Sequence, residues 1–395
     1  MIDLRAVLRW SWSVLFLLVL FVVATAVVVV GCGQAPVSGA GSSGELYPLM
    51  VTGKMGFVNR TGEMVIQPQF ARASAFSEGL AYVEVEKDGG NIAGYIDTTG
   101  KMVVKGKFQG GGVSDFSEGL AAIALESGLQ VYIDRTGKVI IPGPFDMTSP
   151  FVDGLAVVGV APAPFANDVY GVIDTSGRWV VPAQFKQTSY FSDGLCTVET
   201  QDGLWGYVDT AGRMAIAPQF TDVEGWGGAR AFAGGLAAAH GGGAWGFIDT
   251  TGAWVIPARF EEVGAFSEGL APAKAGGRYG FIDSSGAWVI PAQFDSVGGF
   301  RGGLSWAESG GLCGLIARTG AWVIPAQYKE ISGFSEGLAL ARTAEGLWGY
   351  IDETGKMVIP ARYMFAESFH DGVAVVRIEG NSDILIDPSG ARLTK

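Results

Sequence analysis

One short unit returns ten times along this chain, and that recurrence constrains the fold more than any other feature. Its clearest copy is Gly349-Tyr350-Ile351-Asp352-Glu353-Thr354-Gly355-Lys356-Met357-Val358-Ile359-Pro360. The glycine of the central turn recurs at 62, 100, 137, 177, 212, 252, 286, 320, 355 and 390, with spacings of 34 to 40 residues. A fixed period of this length is the signature of a repeat architecture, in which each unit buries its apolar face against its neighbours. The variable spacing places insertions in loops between units.

Within the unit, two β-rich runs flank a three-residue loop that ends in glycine. This predicts a hairpin with a type I turn followed by a left-handed residue, the G1 bulge. The aspartate before the loop is placed to accept backbone N–H bonds across it. In the simplest register Ile351 opposes Met357 and Tyr350 opposes Val358, so both faces of the hairpin are apolar and both need cover. A second signature, Phe-Ser-Glu-Gly-Leu-Ala, stands at 76–81, 116–121, 266–271 and 334–339 and leads into a third strand. Proline follows the second strand of the hairpin at 68, 142, 182, 218, 257, 291, 325 and 360, where its missing N–H predicts the end of pairing.

These residues resemble the bacterial WG-repeat family, whose Trp-Gly dipeptide stands here as Trp205-Gly206, Trp245-Gly246 and Trp348-Gly349. The resemblance covers residues 46–395. It implies a repeat protein and brings no catalytic residues with it. The expected fold is therefore all-β, made of tandem three-stranded antiparallel meanders. Both end units read as complete, so no strand needs to be lent across a closure. That favours an open solenoid or superhelix, with a propeller-like ring as the alternative.

The first 45 residues are different. Arg5 and Arg9 precede an apolar stretch from Trp10 to Val30, and Val29-Val30-Gly31-Cys32 resembles a bacterial lipobox. The resemblance implies cleavage before Cys32 and lipidation of its thiolate. The alternatives are a single uncleaved transmembrane anchor, since twenty-one apolar residues can span a bilayer, and plain secretion. Residues 1–31 are thus read as signal peptide or anchor, 32–45 as a Gly/Ser tether, and 46–395 as the repeat array. All three readings put the array outside the cytoplasm, anchored to the membrane in two of them.

Composition and motifs narrow the function. The net charge of −12 carries no basic patch, which argues against nucleic acid. Cys32, Cys196 and Cys313 form no CxxC pair, and the last two read as small buried side chains. The motif Asp-x-[Thr/Ser]-Gly occurs in seven units, whereas a catalytic aspartate is needed once or twice, so the motif reads as a turn. The only histidines, His240 and His370, lie in different repeats and read as isolated surface residues. No catalytic residue, metal site or cofactor is expected. Trp254, Trp288 and Trp322 recur every 34 residues and read as packing between units, the alternative being an exposed aromatic track. Ligand contacts are expected where repeats differ, in Pro162–Val169, Glu224–Arg230 and Phe300–Trp306, which makes Trp226, Arg230 and Trp306 the candidate binding residues. The functional expectation is a non-catalytic binding or scaffold protein of the cell envelope, with a protein or glycan partner. A carbohydrate- or peptidoglycan-binding protein is the alternative.

Overall fold

The computed structural model describes residues 45–86, 92–106, 113–161, 168–221, 227–378 and 383–393. Its strands form ten small antiparallel sheets, one for each turn glycine counted in the sequence. Among the described residues no helix is long and apolar enough to cross a membrane. The apolar stretch Trp10–Val30, Cys32 and the tether to residue 44 lie outside the described residues.

Repeat 6 shows how the sequence makes a sheet. Its long strands are Leu236–Gly241, Ala244–Asp249 and Trp254–Phe260. At the central turn the Gly252 amide donates to the Asp249 carbonyl (2.9 Å), and the Asp249 amide donates to the Ala253 carbonyl (2.9 Å). Gly252 has φ +86°, the left-handed conformation that the G1 bulge requires. Asp249 Oδ1 accepts from the Thr251 amide (2.9 Å), the Thr251 hydroxyl (2.6 Å) and the Ala253 amide (3.1 Å). The predicted turn is therefore present in full.

The register departs from the simple prediction after its first pair. Ile248 opposes Trp254 as expected, but Phe247 opposes Ile256, not Val255. One extra residue is accommodated there, so Trp254 and Val255 are both exposed while Ile256 is fully buried. Ile351↔Met357 and Tyr350↔Ile359 repeat this pattern. The strand also continues past its proline: Trp245 pairs with Phe260, and Pro257 sits within a second irregularity. Proline thus marks a bulge and not the end of the strand, which its missing donor also permits. The bulged backbone explains the glycine of the Trp-Gly pair. A Cβ at Gly246 would lie 2.4 Å from the Ile256 carbonyl oxygen and 2.7 Å from the Ala258 nitrogen.

The meander also has more strands than expected. Six of the ten sheets carry four strands among the described residues, the extra one being a two-residue strand such as Glu262–Val263. The Ser-Glu-Gly segment then makes a two-residue turn: Ser267 and Leu270 exchange backbone hydrogen bonds (2.9 and 3.1 Å). Both central residues are left-handed, Glu268 at φ +51° and Gly269 at +80°. This is the primed hairpin geometry that matches strand twist.

Each sheet packs a large face against its neighbour's small one. Trp245, Phe247, Ile256 and Phe260 of repeat 6 meet Val263, Ala271, Ala273 and Ile282 of repeat 7 in one buried cluster. The alanines of the Leu-Ala strand make room for the aromatic rings opposite. Ten such clusters exist among the described residues. An open array of ten sheets has nine interfaces. The tenth cluster joins Leu49 and Val58 of repeat 1 to Val373 and Leu385 of repeat 10. Across the same seam Arg60 Nη2 donates to the Asp371 carbonyl (2.7 Å), and the Met50 amide donates to Asp383 (3.3 Å). The array is therefore a closed, ten-bladed, propeller-like ring, the alternative of the two arrangements expected. Among the described residues repeat 10 keeps only the Ile386–Arg392 bridge where other repeats have the second arm of the hairpin, so the expectation of two complete end units does not hold there. The ends nevertheless meet face to face and not by exchange of a strand.

Candidate binding surface

The exposed residues released by the bulge form a repeated feature. Trp179, Trp254, Trp288 and Trp322 are 38–39% exposed, and Val255, Val289 and Val323 beside the last three are exposed as well. Each indole stands nearly perpendicular to a phenylalanine of the preceding repeat: Trp254 to Phe220 at 6.0 Å and 89°, Trp288 to Phe260 at 5.7 Å and 89°, Trp322 to Phe294 at 5.6 Å and 88°. Trp179 meets Phe145 at 6.4 Å and 79°. These edge contacts fix the ring orientation and leave indole surface open. The reading of Trp254, Trp288 and Trp322 as buried core is thus corrected: they touch the preceding unit but stay at the surface. The physical reason is the one-residue bulge, which shifts the alternation of the strand. Other repeats place Met64, Met102, Val139, Met214 or Met357 at this position, so the aromatic row is confined to part of the ring. A cavity of about 710 Å³ opens beside Trp179 and is lined by Ile141, Pro142, Phe145, Asp146 and Ser176 among others.

The residues singled out from sequence fare differently. Trp226 lies outside the described residues, as does Cys32. Arg230 is exposed, and its guanidinium stands 4.9 Å from the centroid of the Trp245 ring. Trp306 is not an exposed loop residue. It lies in the strand Leu304–Ser309, opposite Leu315, and is half-buried against the cluster of Tyr328 and Ile324. A strand position beside a hydrophobic cluster explains why it packs. Arg230, beside the first long strand of repeat 6, and Trp306, in repeat 8, stand in different sheets. His240 also departs from expectation: it is buried, its Nδ1 is 3.1 Å from the Thr221 hydroxyl, and its ring packs 5.4 Å from Trp245. His370 is exposed. Cys196 is buried, whereas Cys313 is only partly so.

The repeated aspartates are occupied as turn acceptors. The Ser176 hydroxyl at 2.6 Å, with the Arg178 side chain and two backbone amides, holds the Asp174 carboxyl down at about 2. Asp97, Asp134, Asp249, Asp283, Asp352 and Asp387 are lowered by the same hydroxyl-led set of bonds, and Asp209 by bonds from Arg213 and Ala211. A carboxylate so stabilised is a poor proton acceptor, so the geometry supports the turn reading.

The Ser-Glu-Gly segment has a role that sequence reasoning missed. Ser77 Oγ donates to the Phe116 carbonyl (2.7 Å), Ser117 to Phe151 (2.6 Å), Ser192 to Phe232 (2.6 Å) and Ser335 to Phe369 (2.6 Å). The following carboxylate accepts an amide of the next turn: Glu78 from Gly119 (3.0 Å), Glu118 from Gly154 (2.9 Å), Glu336 from Gly372 (2.9 Å). The motif is a clasp between successive blades. The signal available in sequence was a glutamate where asparagine or glycine would suit the left-handed turn better. Strain of about 1–3 kcal/mol at such a residue is tolerated when the surroundings hold it.

The family described as WG containing repeat matches this chain at residues 55–87, 94–127, 132–160, 170–205, 205–239, 245–279, 279–313, 314–345 and 348–381. No curated protein matches the sequence. Among solved structures, the computationally designed Ika8 protein is 14% identical with a TM-score of 0.40, covering 71% of this chain and 97% of that one. BamB from Moraxella catarrhalis is 13% identical with a TM-score of 0.37, covering 71% and 96%. The C-terminal WD40 domain of Sif2 is 10% identical with a TM-score of 0.36, covering 68% and 92%. The matched segments span most of the chain and recur at the period of the sheets, each running from one sheet into the next, and the protein belongs to the WG-repeat family.

Proposed function

We propose that this protein is a non-catalytic, extracytoplasmic binding or scaffold module of the cell envelope, held to the membrane through a lipid on Cys32. The observation that carries the binding role is the row of exposed indoles at Trp179, Trp254, Trp288 and Trp322. Exposed aromatic side chains held on a rigid scaffold give contact area with little entropy cost. The row joins Trp226, Arg230 and Trp306 as binding features to test. The direct experiment is partner capture from native envelopes by the full-length, lipid-bearing chain. The triple variant Trp254→Ala, Trp288→Ala, Trp322→Ala is expected to lose capture at least about tenfold while keeping its β-sheet spectrum. Unchanged capture would contradict the reading. The anchor has its own test: Cys32→Ser should abolish fatty-acid incorporation.

A second reading favours glycan as the ligand, because a flat indole face suits the apolar face of a sugar ring. Co-sedimentation of the same variants with insoluble peptidoglycan separates the two, since a protein partner predicts no sedimentation.

A further inference from the structure

The interfaces between repeats 3 and 4 and between repeats 6 and 7 are built from the same parts, with one exchange. The last long strand of repeat 6 ends Pro257-Ala258-Arg259-Phe260, and that of repeat 3 ends Pro142-Gly143-Pro144-Phe145. Opposite them stand the turn glycine and tryptophan of the next repeat, Gly286 with Trp288 or Gly177 with Trp179. The indole meets the phenylalanine nearly perpendicularly in both, at 5.7 and 6.4 Å. Between repeats 6 and 7 the Arg259 guanidinium lies 5.0 Å from the Phe260 ring centroid and donates to the Gly286 carbonyl (2.6 Å). Arg362 does the same between repeats 9 and 10, over Tyr363 (5.2 Å) and toward the Gly390 carbonyl (3.2 Å). Repeats 1, 2 and 4 to 9 all place glutamine, lysine or arginine at this position, and repeat 3 alone places proline. The short ring of Pro144 has no donor for the Gly177 carbonyl. The cavity of about 710 Å³ opens there, lined by Phe145, Asp146, Gly177 and Trp179.

The cavity also carries an unpaired charge. Asp146 accepts the Ala161 amide with one carboxylate oxygen (2.7 Å). Its counterpart in repeat 7, Asp295, pairs with Arg278, which directly precedes the Tyr279–Phe294 pair. The residue that precedes the equivalent Gln130–Phe145 pair is Leu129, so among the described residues no cation pairs with Asp146.

We propose that this cavity binds the arginine side chain of a partner polypeptide, seated as Arg259 is seated between repeats 6 and 7. The guanidinium stacks on Phe145 and Trp179 and donates to the Gly177 carbonyl and the Asp146 carboxylate. Arginine fits better than lysine, because its planar fork stacks and donates at once, whereas an ammonium is a point charge. The site includes Trp179 and so rests on the binding role proposed above, but it makes no use of Trp254, Trp288 or Trp322.

The test is a calorimetric titration of the full-length protein with acetyl-Gly-Arg-Gly-amide, with the matched lysine and citrulline peptides, and with free arginine. The arginine peptide should bind one to one. The citrulline peptide, which has the same shape without the charge, should bind at least about tenfold more weakly. Pro144→Arg supplies the guanidinium from within, as Arg259 and Arg362 do in their repeats. Asp146→Asn removes the charge and keeps an acceptor for the Ala161 amide. Both variants should keep the β-sheet spectrum and lose at least about tenfold in affinity. The triple variant at Trp254, Trp288 and Trp322 should bind the peptide as the wild type does, which separates a failure of the row from a failure of this site. The proposal is overturned if the arginine peptide does not bind, if the lysine or citrulline peptide binds as well, or if either cavity variant binds as the wild type does. Tighter binding of free arginine than of the peptide would overturn the assignment to a partner polypeptide and give the cavity to a small guanidino compound.

Discussion

The interface between repeats 6 and 7 and the seam between repeats 10 and 1 join neighbouring sheets in the same geometry but with different chemistry. The regular interface buries Trp245, Phe247, Ile256 and Phe260 against Ala271, Ala273 and Ile282. Among the described residues the seam buries Leu49, Val58, Val373 and Leu385, with Tyr47, Val51, Met64, Val375 and Leu393 partly covered. At the tryptophan position of repeat 10 stands Asp383, paired with Arg377 as Trp348 is paired with Arg342. Arg377 Nε donates to Asp383 (2.7 Å), whose other oxygen accepts the Met50 amide of repeat 1. The seam thus replaces aromatic area with directed polar bonds. Apolar area is the larger stabilising quantity, at about 25 cal/mol per Å², so the ring is expected to open first at the seam.

The largest effects should come from the two cores. Phe247→Ala is expected to cost about 3–5 kcal/mol, the range for a buried aromatic. Leu385→Ala at the seam should cost less, about 2–3 kcal/mol, because fewer groups line the space it leaves. Denaturant unfolding of both variants checks this, and equal losses would break the claim that the seam is weaker. Next comes the turn glycine. Gly252→Val should cost about 3 kcal/mol, since it forces a β-branched residue to positive φ and drives its Cβ to 2.8 Å from Ile216 of the preceding repeat. At the seam, a Cβ added to Gly62 would lie 2.5 Å from the Leu393 backbone carbon. Gly62→Ala should therefore loosen the closure while leaving regular interfaces intact, as hydrogen exchange would report.

A smaller effect is expected at the surface row. Trp254→Ala should cost under about 1.5 kcal/mol, because much of the indole is exposed in the folded state. A loss above about 3 kcal/mol would show that it is core after all. The smallest effect is acid sensitivity. The folded Asp174 carboxyl lies at about 2, below its ordinary 3.8, so its contribution is present above the ordinary value and disappears as pH falls toward about 2. Asp174→Asn should lower melting slightly near neutral pH, where the carboxylate contributes, and flatten the decline across that window. The seam already contains this exchange: Asn59 Oδ1 accepts from the Thr61 amide (3.0 Å), the Thr61 hydroxyl (2.7 Å) and the Glu63 amide (3.0 Å) without titrating.

The local features were legible because local chemistry determines them. Gly252 and Asp249 announce their turn, and the alternation of Leu236–Gly241 and Ala244–Asp249 announces a hairpin. The exposure of Trp254 was not legible, because a bulge moves it by one residue relative to simple alternation and no residue type marks that shift alone. Trp306 looked like a loop residue until its pairing with Leu315 placed it in a strand. His240 looked like a surface residue because its partner, Thr221, comes from another sheet. Closure was the least legible property. It depends on the small rotation between successive sheets, summed over ten of them, and no residue near either end encodes that sum.

Closure is also the claim on which the account rests. Single-molecule energy transfer between dyes at Thr61→Cys and Ala391→Cys, with Cys196 and Cys313 replaced by serine, measures it directly. The two positions are exposed and flank the Gly62–Leu393 contact. A closed ring predicts one population with near-complete transfer, falling only when the protein unfolds. A folded population with low transfer would mean that the repeats form an open array and that the seam does not exist.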